Sequence, residues 1–277
     1  MKSTTGILMA TLSATALLGI ATATNAATTT YIDEGFESYG SGTSVCGQAE
    51  YSCGSSGGVG VGGTIVSSNG GQAVELNTTV EDGQTVAPRF YVDLTAPNGS
   101  LSDTTTMNTA TISFDFNYNY ASWNKSYAQD TWIYVQNHKE GTSTVGDGGG
   151  RVAAIRINGG YYDWKFTADN YGNGASGSNV RDADYHSVEM VFDFAAQTVT
   201  YNLDGVFEAV EEVPAGSLDG TLGLTQLFIL NGMGGNGNNT NYVDNVFFSA
   251  DLIEIPEPAT WGLLSVSALA LLRRRSR

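Results

Sequence analysis

The sequence is poor in the residues on which most enzymes and metal sites depend. Of its 277 residues, only 2 are His, 2 are Cys and 12 are Lys or Arg. With so few histidines and cysteines, we expect no zinc site of the tetrahedral Cys/His kind. Glycine, in contrast, is abundant at 35 residues, together with Asn, Ser and Thr. This composition indicates many turns and few helices.

Negative charge dominates the body of the chain. Five of the twelve basic residues stand at the two ends: Lys2, Arg273, Arg274, Arg275 and Arg277. Every acidic residue lies between Asp33 and Glu257, so the chain between the two basic ends has a charge of 7 − 28 = −21. Such a surface repels nucleic acid and anionic lipid, and we expect no nucleic-acid partner.

Residues 1–26 have the pattern of a secretory signal peptide. Lys2 supplies a positive start, the stretch from Ile7 to Ala23 carries no charge, and small residues precede position 27. Signal peptidase cleaves after small residues of this kind. We therefore predict export and a body domain that covers residues 27–254.

Residues 255–277 form a tail with three parts in a fixed order. Pro256-Glu257-Pro258 comes first, an apolar stretch follows at 259–272, and Arg273-Arg274-Arg275 comes last. As a helix, the apolar stretch would be about 21 Å long, which is shorter than the roughly 30 Å hydrocarbon core of a bilayer. Such a helix is a weak anchor, and its arginines would stay at the cytoplasmic face.

This tail resembles the PEP-CTERM sorting signal, and the resemblance is confined to the tail. It implies that a short transmembrane helix enters the inner membrane transiently and that an exosortase-type membrane protease processes it. The usual host is a Gram-negative bacterium that makes extracellular polysaccharide. The resemblance therefore implies a location at the cell surface or in the extracellular matrix.

The body reads as short strands separated by clusters of Gly, Asn and Ser. In the stretch 109–120, Ile112, Phe114 and Phe116 alternate with polar residues, which is the period of a half-buried strand. The other strand segments are 31–37, 72–77, 88–94, 131–136, 151–157, 161–166, 186–194, 197–203, 222–230 and 242–248. Many strands without a helix predict an all-β fold, an antiparallel two-sheet jelly-roll sandwich.

One pair of strands is similar to a hairpin of laminin-G and concanavalin-like jelly rolls. Tyr185-His186-Ser187-Val188 opens the first strand, and the second ends in Tyr201-Asn202-Leu203-Asp204-Gly205. Asp-Gly supplies the left-handed conformation that a turn needs there. We interpret His186 as a structural residue of this hairpin. The resemblance implies the fold and no particular activity, because this fold serves lectins, hydrolases, lyases and inert modules.

The two cysteines, Cys46 and Cys53, lie in a stretch rich in Gly and Ser. In an exported chain, such a pair predicts one disulfide that closes a small loop.

Aromatic residues are concentrated in the central third of the chain. Sugar rings stack on such side chains, while Asn and Asp side chains bind hydroxyl groups. The sugar-binding residues that we predict are Trp123, Trp132, Tyr162, Trp164 and Tyr171. The alternative is that alternating aromatic residues form the core.

These features favour a non-enzymatic, lectin-like matrix protein that associates with extracellular polysaccharide. One alternative is a polysaccharide lyase or glycoside hydrolase, since Gln136-Asn137-His138 and the stretch 162–171 resemble strands of alginate-lyase-type jelly rolls. Against it, Arg89 stands alone where that family has a strand rich in Arg and Glu. The Glu-x-Asp-x-x-Glu triplet of retaining glucanases is also missing. We assign no catalytic residue, and a purely structural surface protein is the other alternative.

Two short segments resemble the terminal strands of calcium-binding jelly rolls of the carbohydrate-binding-module kind: Gly35-Phe36-Glu37 and Tyr242-Val243-Asp244-Asn245-Val246. The resemblance implies a structural calcium ion held by Glu37 and Asp244, with Asp33 as a further ligand. Calcium prefers carboxylate and carbonyl oxygens, and an acidic body favours cation binding. Alternatively, Asp244 caps its strand or binds a turn amide.

Overall fold

The computed structural model describes residues 27–48, 51–55, 63–68, 70–81, 84–86, 88–94, 105–118, 130–137, 151–158, 163–167, 176–179, 184–213, 218–219, 223–233 and 239–254. The regular elements in these ranges are sixteen β-strands. They form two antiparallel sheets around one main core, which confirms the predicted jelly-roll sandwich. The predicted signal peptide and sorting tail, 1–26 and 255–277, lie outside the described residues. Within the described ranges, no helix is long and apolar enough to cross a membrane.

The larger sheet has nine strands. Its main path runs in the order β14 (Val206–Glu212), β13 (Thr198–Leu203), β12 (Tyr185–Asp193), β7 (Thr105–Tyr118), β16 (Asn239–Glu254), β4 (Gly71–Glu81) and β3 (Thr64–Ser68). Off this path, β1 (Ala27–Glu34) pairs with β16, and β5 (Gln84–Val86) pairs with β4.

The smaller sheet has seven strands. Their order is β11 (Ser176–Asn179), β10 (Asp163–Thr167), β9 (Arg151–Asn158), β8 (Asp130–Asn137), β15 (Leu224–Met233), β6 (Pro88–Asp93) and β2 (Tyr51–Ser55). In both sheets several spatial neighbours are distant in sequence, as the Greek-key connections of jelly rolls require.

Strand β16 is the centre of the larger sheet. One of its edges pairs with β7, and the other edge is shared, because β4 pairs with residues 239–243 and β1 with residues 246–252. Between these two partners the strand has a bulge, at which Asn245 has a φ of 49°. Asn tolerates this left-handed conformation better than most residues do. The Asn245 amide donates a hydrogen bond to Asp244 Oδ1 there (2.7 Å), as the turn-amide interpretation of Asp244 requires.

The main core lies between the two sheets and follows the predicted alternation. Phe114 on β7 and Val188 on β12 are register partners, and both side chains are buried in it. Burial of such a side chain contributes about 1.5–3 kcal/mol. The intervening residues, such as Ser113 and Glu189, face outward and are only partly buried.

The predicted hairpin is present and continues into a third strand. Asp204 (φ 53°) and Gly205 (φ 73°) form the turn that joins β13 to β14. His186 is 8% exposed, and its Nδ1 lies 2.8 Å from Asp204 Oδ2. The Ser187 amide donates a hydrogen bond to Asp204 Oδ1 (2.9 Å). His186 and Asp204 thus tie the start of β12 to the turn.

Cys46 packs partly buried against the main core and is bonded in a disulfide. The side chain of Cys53, on β2, lies outside the described part of the chain, so the pairing of Cys46 with Cys53 stays a prediction. Peptide mapping without reduction tests the pairing, and recovery of two free thiols from exported protein would contradict it.

Candidate functional site

Outward-facing side chains of the smaller sheet line up in three rows across its central strands. The first row consists of Arg89, Leu230, Trp132 and Arg156. The second row consists of Tyr91, Phe228, Tyr134 and Ala154. The third row consists of Asp93, Gln226, Gln136 and Arg151. Alternation sends intervening residues such as Phe90 and Ile155 into the main core. We call the residues of the three rows the outer face.

Four aromatic rings form a continuous stack on the outer face. The ring centroids of Tyr91 and Phe228 are 4.8 Å apart, those of Phe228 and Tyr134 are 5.7 Å apart, and those of Tyr134 and Trp132 are 5.5 Å apart. The interplanar angles are 9°, 18° and 8°, so the rings are nearly parallel. Together with Leu230 and Ala154, the rings form an apolar cluster that is separate from the main core and contains residues of this sheet only. All of its members are buried except Trp132, which is half-buried.

Two arginines lie against this stack. The Cζ atom of Arg151 is 3.9 Å from the centroid of the Tyr134 ring, and that of Arg156 is 5.0 Å from the Trp132 ring. The ring quadrupole attracts a guanidinium that lies over its face. The contacts therefore fix two positive charges on the outer face.

Two glutamines of the third row have buried polar atoms without a hydrogen-bond partner. Gln136 is 7% exposed and Gln226 is 9% exposed, and the two residues are register partners on adjacent strands. Within the described part of the chain, neither Gln136 Nε2 nor Gln226 Oε1 has a hydrogen-bond partner, and the same is true of Arg89 Nε in the first row.

The orphaned amide atoms of Gln136 and Gln226 have complementary hydrogen-bonding roles. An unsatisfied buried polar group costs about 1–3 kcal/mol. Such atoms also occur away from the outer face, for example Trp164 Nε1 and Gln72 Oε1, so what distinguishes Gln136 and Gln226 is that they are register partners. Gln136 offers a donor and Gln226 an acceptor. A hydroxyl group both donates and accepts, and is therefore complementary to the pair.

The structure places one of the five predicted sugar-binding aromatics on the outer face. Trp132 is half-buried in the first row. Trp164 instead lies in the main core at 1% exposure, with its ring edge-on to Phe116 and near His186. It occupies an inward position of β10, where it packs the sandwich and cannot stack on a sugar ring. Trp123, Tyr162 and Tyr171 lie outside the described residues.

Sequence reasoning missed most of the outer face. Tyr91 and Phe228 lie in largely apolar strands, in which a period of two does not distinguish the core face from the other face. Arg151 and Arg156 were not singled out as site residues. The available signal was Gln226, an amide within the mostly apolar stretch 224–230.

The predicted calcium ligands lie away from this face, at the larger sheet. Burial raises the pKa of Asp244 to about 6, and the charges of Asp115 and Glu37 add to the rise, while the hydrogen bond from the Asn245 amide opposes it. Glu37 Oε1 accepts a hydrogen bond from the Gln72 amide (2.8 Å). Among the described residues, no group of three or more His, Cys, Asp or Glu side chains is arranged to hold a metal ion. The calcium site stays a prediction.

No protein-family model matches this sequence, and no curated protein sequence matches it either. Solved structures do share its fold. An endo-1,3-beta-glucanase from Streptomyces sioyaensis has a TM-score of 0.52 at 14% identity, over 82% of this chain and 97% of that one. The basic winged bean lectin, solved with Tn-antigen, has a TM-score of 0.51 at 11% identity, over 82% of this chain and 99% of that one.

A sialidase has a TM-score of 0.53 at 11% identity, over 79% of this chain. The match covers 18% of the sialidase, so this chain corresponds to a small part of that protein. At such low identities the three similarities establish the jelly-roll fold alone.

Proposed function

We propose that this protein is a non-enzymatic carbohydrate-binding protein that binds a glycan on the outer face of its smaller sheet. The observation that carries the proposal is the pair of buried amides of Gln136 and Gln226, which face each other across adjacent strands with a donor and an acceptor unpaired. Beside them runs the aromatic stack that ends at Trp132. A sugar has apolar ring faces and hydroxyl groups. The half-buried ring of Trp132 is complementary to the ring faces and the two amides to the hydroxyl groups, whereas Tyr91, Phe228 and Tyr134 are at most 5% exposed and support the stack.

The lectin and the glucanase that share this fold support the proposal. Both have names that refer to carbohydrate, and both align with most of this chain. The likeness concerns architecture, and the site itself is argued from the residues of this chain.

The described residues favour binding over hydrolysis. The two-carboxylate mechanism of glycosidases needs a pair of Asp or Glu side chains that flank the scissile bond. Among the described side chains of the outer face, Asp93 is the one carboxylate. His138, from the segment that resembles alginate lyases, lies outside the described residues, so an assay has to decide the lyase alternative.

A glycan array combined with turnover assays on uronate polymers and neutral glucans tests the proposal. We expect retention of a glycan without product formation. Trp132→Ala and Gln226→Leu should each weaken binding several-fold, since they remove a stacking surface and a hydrogen-bond acceptor. Phe207→Ala is the matched control, because Phe207 is an aromatic residue of the larger sheet that is 61% exposed.

The outcomes separate the three candidate functions. Turnover of a polymer would make the protein an enzyme, and failure to retain any glycan would favour the purely structural alternative. Binding that survives both outer-face substitutions would place the site elsewhere.

Export and sorting form the second part of the proposal. The signal-like residues 1–26 and the tail with Pro256-Glu257-Pro258 and Arg273-Arg274-Arg275 support passage across the inner membrane and processing by an exosortase-type protease. The intact mass of the surface protein from its native host tests this routing. We expect a mass that lacks both ends, and a chain intact through Arg277 would contradict processing of the tail.

A further inference from the structure

The basic residues of the described structure are confined to one sheet. All four of its Lys and Arg residues lie on strands of the smaller sheet: Arg89, Arg151, Arg156 and Lys165. Three of them belong to the outer face, and Lys165 is placed opposite Arg156 in the register of β9 and β10. The strands of the larger sheet contain thirteen Asp or Glu residues and no Lys or Arg.

This segregation sets the smaller sheet apart from the rest of the body. Its strands carry three acidic residues, Asp93, Asp130 and Asp163, against the four basic ones. The chain between the two basic ends, in contrast, has a charge of 7 − 28 = −21. Collecting cations on one face raises the local potential there, which attracts a ligand of negative charge.

Arg89 is the most specific element of this face. Its Nε is buried without a hydrogen-bond partner, and none of the described residues forms an ion pair with it. A guanidinium binds a carboxylate through two parallel N–H···O bonds, and Nε can supply one of them. A carboxylate is therefore the group that satisfies both the charge and the orphaned donor of Arg89.

The spacing of the orphaned groups indicates an extended ligand. Arg89 lies in the first row and the Gln136–Gln226 pair in the third, four residues apart along the strands. At about 3.4 Å per residue this is roughly 14 Å, farther than a single sugar ring reaches. The two contacts thus fall on different units of one chain.

We propose that the ligand of the outer face is an acidic polysaccharide with carboxylate groups on its sugars, of the uronate class. Arg89 binds one carboxylate, while Gln136 and Gln226 bind a hydroxyl group of another unit. Arg151 and Arg156 add long-range attraction. This inference rests on the proposed function, since it names the chemical class of the ligand for the same site.

Affinity electrophoresis of the full body with soluble polymers tests the inference. The probes are polygalacturonate, alginate and hyaluronan, with fully methyl-esterified polygalacturonate and a neutral β-1,3-glucan as matched uncharged polymers. We expect retardation by at least one uronate polymer and none by the uncharged ones. The retardation should weaken as salt is raised, because exposed charges are screened.

Arg89→Gln should raise the dissociation constant about tenfold or more, since it removes a charge-assisted hydrogen bond. Arg89→Lys should keep the salt dependence and lose part of the affinity, because an ammonium group cannot form the two-bond fork. Thr200→Glu is the matched control: it changes net charge by the same one unit, at an outward position of β13 on the larger sheet, and should leave binding unchanged. Thermal unfolding of each variant verifies that it is folded.

Equal binding to polygalacturonate and its methyl ester would overturn the inference and leave the proposed binding face intact. Binding to the neutral glucan alone would also overturn the inference and leave the proposed binding face intact. Unchanged binding by folded Arg89→Gln would have the same two consequences. Failure to bind any of the polymers, charged or neutral, would overturn the proposed function together with the inference.

Discussion

Asn241 on β16 donates a hydrogen bond from Nδ2 to Thr131 Oγ1 on β8 (3.0 Å) and so joins the two sheets through the core. Asn241 Nδ2 also donates to Oδ1 of Asn231 on β15, and Asn231 Nδ2 donates to the Leu76 carbonyl on β4 (2.8 Å). All three polar side chains are fully buried. Because each would be costly to leave unpaired, the network fixes how the sheets face each other.

Asn231→Leu should lower the free energy of unfolding by about 2–4 kcal/mol, since it removes the side-chain donor of the Leu76 carbonyl and one of the two acceptors of Asn241 Nδ2. Urea denaturation measures the change. Thr240→Val is the control: its hydroxyl donates to Asn77 Oδ1 (3.3 Å) at a half-buried position, and its loss should cost less than about 1 kcal/mol. Equal losses in the two variants would show that the network adds nothing beyond an ordinary surface hydrogen bond.

The second prediction concerns the turn between β13 and β14. Asp204→Ala should destabilise the protein by about 1–3 kcal/mol, because it removes the acceptor of His186 and Ser187 and places Ala at a left-handed φ. Asp204→Asn keeps an acceptor and tolerates that φ, so it should retain most of the stability. Thermal unfolding compares the two variants, and indistinguishable melting temperatures would mean that the side chain of residue 204 does not hold the turn.

Two aspartates of β16 should respond to pH in opposite senses. The pKa of Asp244 is raised from 3.8 to about 6, chiefly by burial. At a pH between 3.8 and about 6, the Asp244 carboxyl is protonated in the folded chain and ionised in the unfolded chain. The contribution of Asp244 to the free energy of unfolding therefore falls as the pH rises through this range. The pKa of Asp251 is lowered, because the hydroxyls of Thr28 and Thr109 donate hydrogen bonds to it. Its contribution is present above its unfolded pKa and is lost as the pH falls through its folded pKa.

Asp244→Asn should therefore become more stable relative to the parent protein as the pH is raised from about 4 to about 7. Asp251→Asn should be less stable than the parent protein above about pH 4, and this difference should shrink as the pH falls below that value. Urea unfolding in the presence of a chelator measures both trends. A change of the same sign in both variants, relative to the parent protein, as the pH is raised would contradict the opposite pKa shifts of Asp244 and Asp251.

Calcium should raise the melting temperature if Glu37 and Asp244 hold the ion, because a ligand that binds only the folded state stabilises it. A chelator should reverse the shift, and Asp244→Ala should abolish it. Asp251→Ala, on the same strand, should keep the response. A melting temperature that is the same with calcium and with chelator would exclude the site.

The fold could be predicted because long strands of the larger sheet, such as β7 and β12, have one apolar and one polar face. Strand β14 was missed because its apolar residues Val206, Phe207 and Val210 are exposed, so burial did not produce their pattern. The Asp204–Gly205 pair was a usable signal, since Asp-Gly commonly joins two strands of a hairpin. β2 and β3 were missed because Gly- and Ser-rich sequence surrounds them.

The site was harder to predict than the fold. Trp132 and Trp164 both lie in strands of the smaller sheet, yet one belongs to the outer face and the other to the core. Both faces of that sheet carry large apolar residues, and alternation then divides the residues into two sets without showing which set is inside. The pairing of β15 with β6 and β8, which brings Gln226 to Gln136, depends on contacts distant in sequence and leaves no local pattern.

The central position of β16 constrains when the chain can complete its fold. Residue 27 of β1 pairs with residue 252 of β16, a separation of 252 − 27 = 225 residues. Strand β4 also pairs with β16. Pairings this distant are slow to form, since a long loop has to close first. A chain that emerges from its N-terminus thus carries β1 and β4 without their main partner until residues 239–254 arrive. If the chain is exported as proposed, closure of the sandwich therefore cannot be completed before residues 239–254 have crossed the membrane.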